Sequence, residues 1–143
     1  MAETFLGFDY GKRRIGVAVG ESLTRSARAL QTIEVPRGSA IPWARIERLV
    51  TEWKPAGVVV GVPHHLDGTE AALGEAARAF AGEVTRRTGR TAHLWNEALS
   101  TEAAREAVAE SRRRGSRRGG RDRLNAEAAR AILEGWLREA SDV

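Results

Sequence analysis

Residues 5–20 read FLGFDYGKRRIGVAVG. An apolar run ends on Asp9, a short turn carries Lys12, Arg13 and Arg14, and Ile15, Val17 and Val19 then alternate with small residues. Period-two alternation on both sides of a glycine-bearing turn predicts a hairpin, with strands over 4–9 and 15–19. A third strand near 28–35 extends it into an antiparallel meander. The hairpin also brings a carboxylate and three bases to one small region. That arrangement suits either a local ion pair of Asp9 with Lys12 or Arg14, or a site that takes both a cation and an anion. Glycines 7, 11 and 16 leave room for a ligand to approach closely, which favours the second reading.

Outward from the hairpin the period changes. Trp43, Ile46, Leu49, Val50 and Trp53 recur at helical spacing, and Lys54-Pro55 ends that helix. GVVVGVP, residues 57–63, is continuously apolar, as a strand covered on both faces must be, and so belongs to a parallel pairing. A second helix is expected over about 69–87 with Gly89 as its stop, a fifth strand over 91–95, and a third helix from a Ser100 or Thr101 cap to about 112. A last helix carries Leu124, Ala128, Ala129, Ile132, Leu133, Trp136 and Leu137 as one stripe. The tryptophans at helical spacing read as core. A meander followed by alternating helices and strands is an α/β fold: a mixed five-stranded sheet with flanking helices.

The chain has 143 residues, 42% of them hydrophobic, which suits one domain over 1–143 with a single sizeable core. It has no cysteine, so disulfides and thiolate metal sites are excluded, and no apolar run approaches the roughly 18 residues of a membrane span. MAETFLGFDYG enters a strand pattern without a basic segment and an apolar stretch behind it, so the expectation is a cytoplasmic protein with no membrane partner. The net charge of +4 is uneven. Residues 111–123, SRRRGSRRGGRDR, hold seven arginines and one acid, a local charge of +6, so the remainder is slightly acidic. Such a segment reads as a mobile loop suited to a polyanion, with Arg113, Arg114, Arg117, Arg118 and Arg121 as phosphate contacts.

In sheets of this kind ligands gather at the carboxyl ends of the parallel strands. Asp9 ends the first strand and Glu97 follows the fifth, so both are expected at one rim. Two carboxylates without cysteine or a histidine cluster suit a hard divalent cation, Mg²⁺ or Mn²⁺. His64 and His65 are adjacent and would face opposite ways on an extended segment, so a loop or substrate contact is the better reading for them, and a turn or cap for Asp67.

GFDYGKRRIGVAVG, VVVGVPHHLDG, NEALST and RLNAEAARAILEGWL together resemble, in order and over nearly the whole chain, the four blocks of the YqgF family. These are Holliday-junction-resolvase-like proteins of the RNase H superfamily. The resemblance implies an RNase H-like fold, a metal-dependent phosphodiesterase site containing Asp9 and Glu97, and a role in pre-16S rRNA processing or junction resolution. Two positions depart from the pattern. Asn96-Glu97-Ala98-Leu99-Ser100 stands where the family often has Asp-Glu-Arg-Leu-Thr, and Asn125 occupies the place of the expected third acid. An amide oxygen can ligate Mg²⁺ but brings no charge, so Asn125 reads either as a weakened third metal ligand or as the N-cap of the last helix.

On this reading the carboxylates hold a metal at the scissile phosphate, while Lys12, Arg13 and Arg14 hold neighbouring phosphates. Three functions follow. The first is a metal-dependent nuclease on structured nucleic acid, an RNA precursor at the 5′ end of 16S rRNA or branched DNA, acting as a monomer or homodimer. The second is a binding module of the same fold with a decayed catalytic set. The third, an actin-like ATPase suggested by GFDYG, is disfavoured because such enzymes enclose the nucleotide between two domains.

Overall fold

The computed structural model describes residues 2–63, 72–96 and 118–141, the side chains of Ala72, Ser141 and residues 118–123 excepted. Its elements are β1 (Thr4–Asp9), β2 (Arg14–Glu21), β3 (Ser26–Glu34), α1 (Trp43–Trp53), β4 (Gly57–Val62), α2 (Ala72–Thr88), β5 (Thr91–Asn96) and α3 (Arg118–Ser141). The five strands form one sheet in the order β3-β2-β1-β4-β5. The first three pair antiparallel, and β1, β4 and β5 run parallel. This is the mixed sheet the alternation predicts.

Alternation along each strand divides the core. Leu6, Phe8, Ile15, Val17, Ile33, Val58 and Val60 face Ile46, Leu49 and Val50 of α1 and Ala77, Phe80, Ala81 and Val84 of α2. On the other face Phe5, Ala18 and Val59 meet Ala129, Ile132, Leu133 and Leu137 of α3. Leu6, Phe8, Ile15, Ile132 and Leu133 are wholly buried, each contributing about 1.5–3 kcal/mol of transfer free energy. The tryptophans are half-buried and pack against these two clusters. β4 is buried along its whole length, as its unbroken apolar run requires.

The helix stops are where the sequence places them. Lys54 adopts a left-handed conformation with its N–H bonded to the Val50 carbonyl, and Pro55 cannot continue α1. Gly89, at φ +73°, closes α2 through a bond to the Thr85 carbonyl.

Two expectations change at the start of α3. The helix begins at Arg118, so residues 118–123, read as part of a loop, are helical; 111–117 lie outside the described residues. Arginine is a good helix former, and a helix already fixed by its packed apolar stripe extends one hydrogen bond per residue, which outweighs Gly119 and Gly120. In consequence Asn125 lies seven residues inside α3 and is not its N-cap. The expected helix over about 100–112, with His64, His65 and Asp67, also lies outside the described residues.

Candidate nuclease site

Asp9 is the last residue of β1 and pairs with Gly16 of β2, which in turn pairs with Thr32 of β3. Phe5 packs under α3, and a Cβ built on Gly7 would lie 2.8 Å from Leu133 Cβ. By alternation Asp9 therefore belongs to the α3 face, as do Gly16 and Thr32 in the same row.

Gly16 decides how α3 meets this row. A side-chain carbon there would overlap the carbonyl carbon and oxygen of Asn125 and approach the Ala126 nitrogen to 3.0 Å. Only a residue without Cβ lets the α3 backbone rest on the strand at this point. Asn125 is thus seated on the register partner of Asp9, and both residues are half-buried. Each interacts within the structure rather than standing free.

The parallel side brings β5 to the same rim. Phe8 pairs with Val60 and Val60 with Leu94, so Asp9 is one residue beyond a row that β5 passes by two residues before ending at Asn96. Two strand spacings, roughly 10 Å, separate β1 from β5. Glu97, the next residue in the chain after Asn96, lies outside the described residues.

Of the three bases in the first turn, Lys12 and Arg13 are exposed at the rim. Arg14 is half-buried, and its Nε donates to Glu34 Oε1 at 3.3 Å across the β2–β3 pairing. Arg118 and Arg121 lie in the first turns of α3, whereas Arg113, Arg114 and Arg117 are outside the described residues. Reading the sequence alone missed Thr32 and Glu34. Their signal was period-two spacing on β3, but the hairpin register that puts them beside Gly16 and Arg14 depends on a shift of the β2–β3 pairing between Val17 and Ala18.

Among the described residues no three His, Cys, Asp or Glu side chains converge. The oxygen donors expected from the sequence are Asp9, Glu97 and the amide of Asn125, of which Asp9 and Asn125 are described. An all-oxygen set of this kind would fit a hard cation, and Gly16 lets the α3 backbone at Asn125 rest on the register partner of Asp9. Elsewhere on the α3 face, His93 packs against Trp136 with ring centroids 4.6 Å apart and the rings tilted by 34°, and burial lowers its pKa. It lies three residues back from the end of β5 and takes no part in the rim.

Comparison with known proteins agrees with this fold and identifies the family. A relative from Azotobacter vinelandii, named "Putative pre-16S rRNA nuclease", is 45% identical over 136 residues, which cover 94% of this chain and 92% of the relative. One of the same name from Pseudomonas putida is 42% identical over 134 residues, 92% of each chain. The fold is similar to that of T. thermophilus RuvC in complex with a Holliday junction substrate, with a TM-score of 0.63 and 17% identity over 99% of this chain and 97% of that one. The RuvX family model, described as Holliday junction resolvase, matches residues 3–139, and the chain belongs to that family.

Proposed function

We propose that this protein is a divalent-metal-dependent nuclease that hydrolyses phosphodiester bonds in structured nucleic acid, with the 5′ end of pre-16S rRNA as its substrate. One observation carries the reading: Asp9 ends β1 and pairs with Gly16, and the α3 backbone rests on Gly16 at Asn125. Asp9, Glu97 and Asn125 would hold Mg²⁺ or Mn²⁺. A bound divalent ion polarises the scissile phosphoryl group and lowers the pKa of the attacking water.

The chain's own residues do the rest. Lys12 and Arg13, exposed beside Asp9, hold phosphates flanking the scissile one, and Arg14 adds a further contact from the same turn. Arg113, Arg114, Arg117, Arg118 and Arg121 grip the backbone farther along without reading sequence. The names of the curated relatives support an RNA precursor as substrate, and with it a cytoplasmic location. The family description favours a second reading, cleavage of a four-way DNA junction.

Cleavage of a precursor 16S 5′ segment and of a four-way junction, side by side with Mg²⁺, Mn²⁺ or EDTA, tests both. Metal-dependent cutting of the RNA, abolished in Asp9→Asn and Glu97→Gln with unchanged melting curves, is the expected result. Selective cutting of the junction would reverse the order of substrates. Undiminished cutting in EDTA would remove the metal from the reaction, and binding without cutting under every condition would leave a module with a decayed site.

A further inference from the structure

Arg14 and Glu34 are register partners on the two antiparallel strands, two rows beyond Gly16 and Thr32 and so on the same face as Asp9. Their contact, 3.3 Å from Nε to Oε1, is longer than the 2.7 and 2.6 Å by which both arms of Arg86 hold Glu83. The two side chains are 29% and 42% exposed, so the pair faces solvent at the rim where nucleic acid would lie. A long, solvated ion pair yields readily to a better anion. A phosphate can take a guanidinium in two parallel bonds.

We infer that Glu34 competes with substrate phosphate for Arg14 and so sets how tightly and how selectively the protein holds nucleic acid. The inference rests on the reading that phosphates lie at this rim. With the pair closed, a polyanion touching the rim meets a neutralised arginine and the carboxylate beside it. A substrate anchored at Lys12, Arg13 and the α3 arginines stays long enough to displace Glu34, while one held by scattered contacts does not. Glu34 thereby lowers affinity for any backbone and spares the substrate that engages the whole surface.

Binding in EDTA, where cleavage does not intervene, reads this directly. A fluorescent RNA duplex is titrated over a range of salt concentrations with the parent, Glu34→Gln, Glu34→Ala, Arg14→Ala and the double variant Arg14→Ala/Glu34→Gln. Both Glu34 variants should bind about 3- to 10-fold more tightly at low salt, the range expected for removing one like charge within a Debye length. Their log–log salt slope should steepen by about 1 unit, one more phosphate contact. In the Arg14→Ala background the Glu34 substitution should change nothing. Unchanged or weaker binding of the Glu34 variants, or a gain that persists without Arg14, would overturn the inference, and weaker binding would make Glu34 a residue that orients Arg14. A parent protein that binds no nucleic acid would instead sink the functional reading beneath it.

Discussion

The carbonyl of Asn125 occupies the space a side chain would need at Gly16, the residue paired with Asp9. One missing Cβ thus fixes the approach of the last helix to the first strand's carboxylate.

Gly16→Ala should push α3 off the sheet and cost about 1–3 kcal/mol, the usual range for overpacking. By the general scaling of melting temperature with stability this lowers Tm by about 3–10 °C. Cleavage should fall more than the stability loss explains, because Asn125 moves with the helix. Gly82→Ala is the control: nothing lies within 4 Å of its added Cβ on the exposed side of α2, and it should stabilise by about 0.5–1 kcal/mol. Thermal melts and cleavage rates of the two variants provide the test, and equal behaviour would refute the close-approach argument.

Asn125 separates a ligand from a structural residue. Inside α3, Asn125→Ala removes no cap, and the gain of a better helix former offsets the interaction Asn125 makes, so stability should change by less than about 1 kcal/mol while cleavage falls. Asn125→Asp restores a charge beside Asp9 and should lower the Mg²⁺ concentration needed for half-maximal activity. Metal titrations with a melt for each variant decide it; an unmoved Mg²⁺ requirement in the aspartate variant would leave a site of Asp9 and Glu97 alone.

Glu83 reports on acid stability. Hydrogen bonds from Arg86 and then Arg87 pull its carboxyl from 4.5 down to about 2. A carboxylate with a lowered folded pKa stabilises fully above its unfolded value, and that contribution is lost as pH falls from about 4.5 towards 2. The parent should therefore exceed Glu83→Gln in urea midpoint at pH 7, by a small margin because the network is exposed, and the gap should close by pH 2. A gap that widens on acidification would contradict the assignment.

The arginine segment predicts a salt dependence. If four of Arg113, Arg114, Arg117, Arg118 and Arg121 contact phosphate, replacing four by glutamine should flatten the log–log salt slope of duplex binding by roughly 3–4 units. An unchanged slope would mean that these side chains are only solvated.

The strands, the first helix and both helix stops were legible from residues 4–63 and 89–96 because each follows from a local rule. Alternation marks the strands, the run of Val58, Val59 and Val60 marks one covered on both sides, and Lys54-Pro55 and Gly89 are stops by backbone chemistry. The start of α3 was not legible. An Arg/Gly/Ser composition reads as a loop by itself, and what makes residues 118–123 helical is a stripe docked farther along the chain.

The same division holds for the site. Sequence by itself determined that Asp9 ends a strand, that Glu97 follows one, that oxygen donors suit a hard cation and that the positive charge is concentrated, because residue type and spacing carry that information. Only the tertiary structure decided that Asn125 rests on Gly16, that it is no helix cap, that Thr32 shares its row and that Arg14 is held by Glu34. Those relations join residues on different elements. They depend on strand register and on how closely a helix can approach a sheet, and packing fixes both only when the whole chain is folded.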